Sequence, residues 1–449
     1  MFAGREAELS FLNTHYENRG NAILVLYGRK GVGKTALLTA FTDNKPFSYY
    51  VARSCSAREQ CYQWSHELKE NGHDLEPSDF PSYENIFHSA LSGTFGQVMK
   101  PVLILDEFHH LIKNDPEFMP ALIHFVYETE HENGILVVLS SSASGWIENS
   151  MVSKMGRSAK MISGLLKLRE MKLSELSVLF SEYSDEDRLK IFGILGGNPG
   201  LWKSFTPSLT FDENCIRNLL TSGCRLQEEM SVLLSEELRE TSVYNTILST
   251  MSGGICKMND LFLHTGFSRA KISVYLKNLM ELDLVEKIAS FESDGYENTQ
   301  KGIYRIASPY VRFYYHFIYS NFSKLQRLEP EYFYHSCVRP DLNPFIESAY
   351  KLYCKEKLMQ TFPVIGEWIG KRNCIDLVCK DSQGRITAVI CRCCSSVMVQ
   401  DYLSLTDALD DARISVDKIL IFGEAGYSEQ LGELAQRLPM EFRTIIQRK

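Results

Sequence analysis

Over the first 165 or so residues, short apolar runs alternate with stretches of helical periodicity. The runs are "NAILVLY" (21–27), "FSYYVA" (47–52), "PVLILD" (101–106), "GILVVLS" (134–140) and "AKMIS" (159–163). Strand-length runs separated by helices predict a parallel sheet. Residues 166–230 read as helices broken at "GGNPG" (196–200), and residues 231–306 as three short helices and a hairpin. A segment rich in aromatics, "YVRFYYHFIYSNF", follows within 307–336. From 337 a further pattern begins: a helix (344–360), strands (374–380 and 386–394), a helix (399–412), a strand (418–423) and a closing helix. The pattern divides an α/β chain at 1–165, 166–230, 231–306, 307–336 and 337–449.

Composition narrows the classes. A chain of 449 residues is long enough for several domains, each with its own core. No stretch of about 18 uncharged apolar residues is present, so no membrane-spanning helix is expected. The opening "MFAGREAELSFL" lacks the apolar centre of a signal peptide. Twelve irregularly spaced cysteines then read as free thiols in a reducing cytoplasm. A net charge of −8 argues against a broad nucleic-acid-binding surface and leaves room for a local one.

The motif with the most chemistry is "GRKGVGKT", residues 28–35, between an apolar strand and a helix. That is the context a P-loop requires. Gly28, Gly31 and Gly33 would let the backbone turn its N–H groups toward phosphates. Lys34 would reach the β- and γ-phosphates, and Thr35 would offer a hydroxyl to Mg²⁺. Val32 and Ala36 complete the nucleotide-contacting run. In "VLILDEFHHL" (102–111), Asp106 would hold Mg²⁺ through water and Glu107 would polarise the attacking water. His109 and His110 follow, and read as residues of a helix face. The serines closing "GILVVLSSSASGW" supply a γ-phosphate sensor candidate, Ser141 or Ser142.

With these motifs in place the chain resembles the AAA-like ATPases of the STAND type, signal-transduction ATPases with numerous domains. The branch is the archaeal and bacterial one that carries a winged helix and a C-terminal restriction-endonuclease-like domain. "FAGREAEL" (2–9) matches its Gly-Arg-Glu opening, which implies that Gly4, Arg5 and Glu6 border the adenine. "SKMGRSAK" (153–160) implies a phosphate-approaching Arg157, and "GGNPG" implies that Pro199 packs near the nucleotide. The resemblance makes 1–165 the P-loop core, 166–230 a helical lid, 231–306 the winged helix, 307–336 a linking segment and 337–449 the nuclease-like domain. ATP or ADP with Mg²⁺ are the implied cofactors.

In the winged helix, the turn at Thr265-Gly266 precedes a recognition helix bearing Arg269, Lys271 and Lys277, with Leu276, Leu279 and Leu282 toward the core. Residues 231–306 carry 8 Lys and Arg against 10 Asp and Glu, and the wing (291–302) is acidic in its first half. DNA contact and a purely coupling role both stay open there. The aromatics of 304–321 recur at helical spacing and read as core.

The nuclease-like pattern implies a helix glutamate, Glu347, and a strand aspartate, Asp376. Where Glu-x-Lys should follow, "AVICRCCSSV" (388–397) has Ile390, Cys391 and Arg392. Isoleucine ligates no metal, and arginine is no substitute for a lysine ammonium. A degenerate site of Glu347, Asp376 and Arg392 is expected, with Arg392 placed to pair with Asp376. Strand alternation puts Cys379, Cys391 and Cys393 on the opposite face as small hydrophobes. Zinc on those three sulfurs, or a redox role, are the alternatives. The expected function is an ATP-hydrolysing switch with a degenerate output domain that binds DNA, a protein partner or another copy of the chain. Its competitors are a nucleotide-gated Mg-dependent DNA endonuclease and a DNA-binding regulator that binds ATP without hydrolysing it.

Overall fold

The computed structural model describes residues 4–73, 82–92, 99–128, 131–238, 240–291, 303–370 and 373–446. The chain resolves into two compact units, 1–170 and 171–449.

The first unit holds a five-stranded parallel sheet: β1 (Ala22–Tyr27), β2 (Phe47–Val51), β3 (Val102–Asp106), β4 (Leu136–Ser141) and β5 (Gly164–Lys167), in the order β2-β3-β4-β1-β5. Strand β4 lies between β1 and β3, so one strand separates the lysine loop from the two acids. All residues of β1, β3 and β4 are buried because both faces are covered. One face packs Ile23, Leu103 and Val137 against Phe87, Phe118 and Phe125. The other packs Leu24, Ile104 and Val138 against Leu12, Leu37 and Leu38. Alternate residues of each strand serve alternate cores, which is why these runs are apolar throughout.

The expected fifth strand, 159–163, is displaced. Residues Gly156–Met161 form a 3-10 turn and β5 begins at Gly164. An edge strand with a half-exposed, mixed-polarity face leaves a weak periodic signal. Gly164 is required there: a Cβ would stand 2.7 Å from the Phe11 ring and 3.0 Å from Leu24 Cδ2.

The second unit carries a separate mixed sheet. Its strands are β8 (Val364–Ile369), β9 (Cys374–Lys380), β10 (Ile386–Arg392), β11 (Lys418–Gly423) and β12 (Met440–Arg443), in the order β12-β11-β10-β9-β8. Strands β8, β9 and β10 pair antiparallel, and β10, β11 and β12 pair parallel. Neither β8 nor β12 is among the expected strands. Before the sheet come helices Thr241–Ser252, Met258–Thr265 and Arg269–Glu281 and the antiparallel hairpin β6 (Val285–Ile288) and β7 (Ile303–Ile306). The wing expected over 291–302 lies, apart from Phe291, outside the described residues.

One continuous core runs through the second unit. It joins Leu176, Ile194 and Trp202 with Leu248, Leu276 and Leu279, with Tyr310 and Phe317, and with Leu377, Cys379, Val389 and Cys391 of the sheet. The aromatic segment is therefore mostly interior, as its spacing suggests. The opposite sheet face packs Val378 and Ile390 against Leu405 and Leu409 of helix Val399–Ala412. A partly buried ion cluster around Glu367 fastens the hairpin to the sheet. Arg305 on β7 makes two bonds of 3.1 Å to the Glu367 carboxylate on β8, and Lys351 adds a third at 2.7 Å. Backbone bonds flank it: Phe291 N–H donates to Glu367 O at 2.7 Å, and Ile369 N–H donates to Ser290 Oγ at 2.9 Å.

Candidate functional site

The loop after β1 turns twice through positive φ, at Gly31 (84°) and Gly33 (104°), before helix Lys34–Phe41 begins. Only glycine takes such angles without strain. Gly28 serves a different need from the turning role expected of it. Its φ is ordinary, but a Cβ there would lie 2.2 Å from the Leu168 carbonyl oxygen. Its N–H donates to Ser141 O at 3.2 Å, tying the loop to β4. Lys34 is buried, and its Nζ donates to Gly28 O at 2.8 Å and Arg29 O at 3.3 Å. Thr35 and Ala36 are exposed on the first helical turn.

Arg5 braces this loop from below. It is buried, donates to Val32 O at 3.1 Å and Arg169 O at 2.7 Å, and pairs with Glu8 at 2.9 Å. Gly4 N–H donates to the Glu6 carboxylate at 3.3 Å, closing the start of helix Glu6–Glu17. Arg29, inside the loop, is buried and ion-paired with Glu170 at 3.0 Å.

Asp106 ends β3 with both carboxylate oxygens engaged. Oδ1 accepts from Glu107 N–H at 3.0 Å, and Oδ2 accepts from the Tyr49 hydroxyl at 2.5 Å. Burial first, then the hydrogen bond and charge of Asp106, push the Tyr49 phenol far above its ordinary value. Glu107 sits at φ 52°, in the left-handed region that non-glycine residues avoid. Its Oε2 accepts from Ser142 N–H at 2.9 Å and from Ser142 Oγ at 2.8 Å. Ser141 Oγ bonds His109 Nδ1 at 2.9 Å. His109 Nδ1 also lies 3.3 Å from Glu107. That contact is not an ion pair. Burial first, then neighbouring His110, Lys113 and Lys34, lower the imidazole pKa to about 3 and keep it neutral. His109 opens helix His109–Asn114, as the helix-face reading expects, and its buried side is a partner of Ser141.

Thr35 and Asp106 are hard oxygen donors, the type magnesium takes, so the residues fit that ion. Arg157 stands apart. It is exposed on the turn after Gly156, and among the described residues it makes no hydrogen bond or ion pair. Pro199 lies in the second unit, as the buried first residue of helix Pro199–Trp202. There Asn198 caps Gly200 N–H at 3.0 Å, and Trp202 Nε1 donates to Gly196 O at 2.8 Å.

On the C-terminal sheet, Arg392 donates to Asp376 at 2.8 Å and to Asp401 at 3.1 Å. Ile390 on the same face is buried among apolar side chains. Glu347 is held separately, by backbone N–H groups of Cys393 and Cys394 at 2.8 to 3.1 Å. The sulfurs expected to gather behind the sheet do so only in part. Cys379 and Cys391 are core residues, while Cys393 is half-buried, 3.7 Å from the Cys394 sulfur. Among the described residues, the group with three metal-capable donors within 4.8 Å is instead Glu347, Cys393 and Cys394. Those thiols stand beside the carboxylate because their own backbone grips it.

The three basic residues of helix Arg269–Glu281 all have intramolecular partners. Arg269 bonds Asn259 at 3.2 Å and lies 4.3 Å from the Phe262 ring centre. Lys271 pairs with Glu240 at 3.6 Å and Lys277 with Glu281 at 3.7 Å. Leu276, Leu279 and Leu282 are buried, as expected.

Residues 2–205 match a family described as an ATPase domain predominantly from Archaea. An uncharacterised protein of Methanocaldococcus jannaschii is 24% identical over 388 residues, 84% of each chain. An uncharacterised ATP-binding protein of the same organism is 48% identical over 46 residues, 10% of this chain and 76% of that one. Among solved structures, a Walker-type ATPase of Pyrococcus abyssi matches with a TM-score of 0.50 at 17% identity, over 70% of this chain and 96% of that chain. The likeness is one of fold. No described helix is long and apolar enough to cross a membrane.

Proposed function

We propose that the chain is an ATP-driven switch that binds and hydrolyses ATP at the loop of residues 28–35. The observation that carries this reading is a parallel sheet of P-loop order in which the end of β4 is bonded on one side to the lysine loop, through Gly28 N–H to Ser141 O, and on the other to Glu107, through Ser142 N–H. In this reading the loop N–H groups and Lys34 Nζ hold the β- and γ-phosphates, with Thr35 and Asp106 as magnesium ligands. The ion that these residues would hold would supply charge that offsets the negative charge developing on the phosphate oxygens. Glu107, held at Oε2 by Ser142, orients the attacking water and takes its proton. The match of residues 2–205 to an ATPase domain supports the assignment.

The C-terminal sheet is the proposed output element, acting by binding rather than cutting. Support comes from Arg392, whose guanidinium is occupied by Asp376 and Asp401, and from buried Ile390 where a cutting centre needs a carboxylate. The pairing of Arg269, Lys271 and Lys277 within the chain favours a coupling role for the three-helix segment over DNA contact.

Equilibrium titration with a fluorescent ADP, on the full chain and on Lys34→Ala, tests the reading. Binding that Lys34→Ala abolishes is the expected result. Equal binding, or none by either chain, overturns it. Turnover unchanged in Glu107→Gln would instead favour a non-hydrolysing regulator, and Mg-dependent DNA cleavage lost in Asp376→Ala would favour an endonuclease.

A further inference from the structure

Tyr49 is not part of any P-loop motif, yet its hydroxyl bonds one of the two residues assigned to magnesium. It donates to Asp106 Oδ2 at 2.5 Å. The other Asp106 oxygen already accepts from Glu107 N–H at 3.0 Å. Within the chain, then, the Asp106 carboxylate is satisfied without a cation.

We propose that Tyr49 is a positioning residue that competes with magnesium for Asp106 and so sets the magnesium concentration at which the nucleotide site closes. The inference rests on the ATP-switch reading above and deepens it. A hydrogen bond from a hydroxyl to a carboxylate is charge-assisted, short and strong. A magnesium ion, or a water it polarises, needs the lone pairs of the same carboxylate and of Thr35. In that bond the hydroxyl is the donor, so it occupies a lone pair that a cation would need. The cation therefore has to displace the donor, and the free energy of that bond is subtracted from cation binding. The position of Tyr49 follows from strand pairing. Val51 on β2 lies opposite Asp106 on β3, and Tyr49 is two residues earlier on the same face of β2. Its ring packs against the partly covered edge of the sheet core, which Phe would preserve.

The test uses the full chain with a fluorescent ADP, titrated with MgCl₂ from an EDTA baseline, for wild type and Tyr49→Phe. Circular dichroism melts confirm that the variant is folded. The expected result is equal affinity in EDTA and a half-saturating magnesium concentration lower by about ten- to a hundredfold in Tyr49→Phe, the loss of one hydrogen bond to a charged group. Mn²⁺ binding in the presence of ADP, read by electron paramagnetic resonance, should tighten by the same factor. An unchanged or raised magnesium requirement, with nucleotide binding intact, overturns this inference alone. A shift of equal size in EDTA also overturns it, because a merely structural role would do that. A wild-type chain whose nucleotide binding does not depend on Lys34 overturns the switch reading, and this inference with it.

Discussion

Glu367→Gln should unfasten the hairpin from the C-terminal sheet at a measurable cost. Glu367 is 9% exposed and carries three bonds from two cations, two from Arg305 at 3.1 Å and one from Lys351 at 2.7 Å. Removing the anion from a partly buried cluster leaves its cations uncompensated, which costs about 3–5 kcal/mol. Arg305 retains Glu286, which is 46% exposed, so the lower end, about 3 kcal/mol, applies. At roughly 2–4 °C per kcal/mol, the melting temperature should fall by about 6–12 °C in calorimetry. Glu286→Gln, on the same arginine but at the surface, should cost under about 1 kcal/mol. The acid side gives a second signature. Burial alone would raise the Glu367 pKa, but Arg305 and Lys351 outweigh it and hold the carboxyl below 4.5. The folded chain thus keeps this charge to lower pH than the unfolded chain. Its stabilisation is complete above pH 4.5 and drains away as the pH falls below that value. Glu367→Gln should remove that part of the acid dependence. A melting temperature within about 1 °C of wild type, or a loss no larger than that of Glu286→Gln, would refute the clamp.

Three further outcomes are expected. Gly28→Ala should destabilise the first unit by about 1–3 kcal/mol and weaken ADP binding, because the new methyl meets the Leu168 carbonyl oxygen at 2.2 Å; denaturant titration and ADP fluorescence read the two effects. Ser142→Ala removes one of two donors to Glu107 Oε2 and should lower turnover by about tenfold while leaving the ADP dissociation constant unchanged, as measured by steady-state hydrolysis and binding. His109 has its pKa lowered from 6.5 to about 3, so between those values the unfolded chain binds a proton that the folded chain does not. Stability should therefore fall by about 1.4 kcal/mol per pH unit from this group as pH drops below 6.5, and His109→Gln should flatten melts recorded from pH 7 to pH 4.

The glycine turn between β1 and its helix, and the two acids at the end of β3, were legible as elements because their signals are local: a glycine-rich break between strand and helix, and a charged pair closing an apolar run. The central strands were legible for the same reason, since burial on both faces leaves an uninterrupted apolar stretch. Strands β8 and β12 were not, because as edges of the C-terminal sheet they are half-exposed and mix Glu, Trp and Gly or Arg with apolar residues. Tyr49 was out of reach for another reason. Alternation along "FSYYVA" says that Tyr49 and Tyr50 point opposite ways, but the neighbour that Tyr49 meets depends on β2 lying beside β3, a pairing of residues more than fifty positions apart. Arg5 and Arg29 are similar, since their partners Arg169 and Glu170 lie far along the chain. For Arg392, strand parity was sufficient, because Asp376 is on a neighbouring strand with the same facing.

Glu107 has a consequence for how this chain tolerates change. Its backbone occupies a conformation at φ 52° that costs a side-chain-bearing residue about 1–3 kcal/mol. Glycine, or to a lesser degree asparagine, would relax that conformation. Either would also discard the carboxylate that Ser142 holds. Selection for thermal robustness alone would drive this position away from glutamate, and, under the proposed ATPase role, selection for turnover would hold it there. The site is one where durability and chemistry pull in opposite directions, and the strain recorded at Glu107 measures what the fold gives up for that acid.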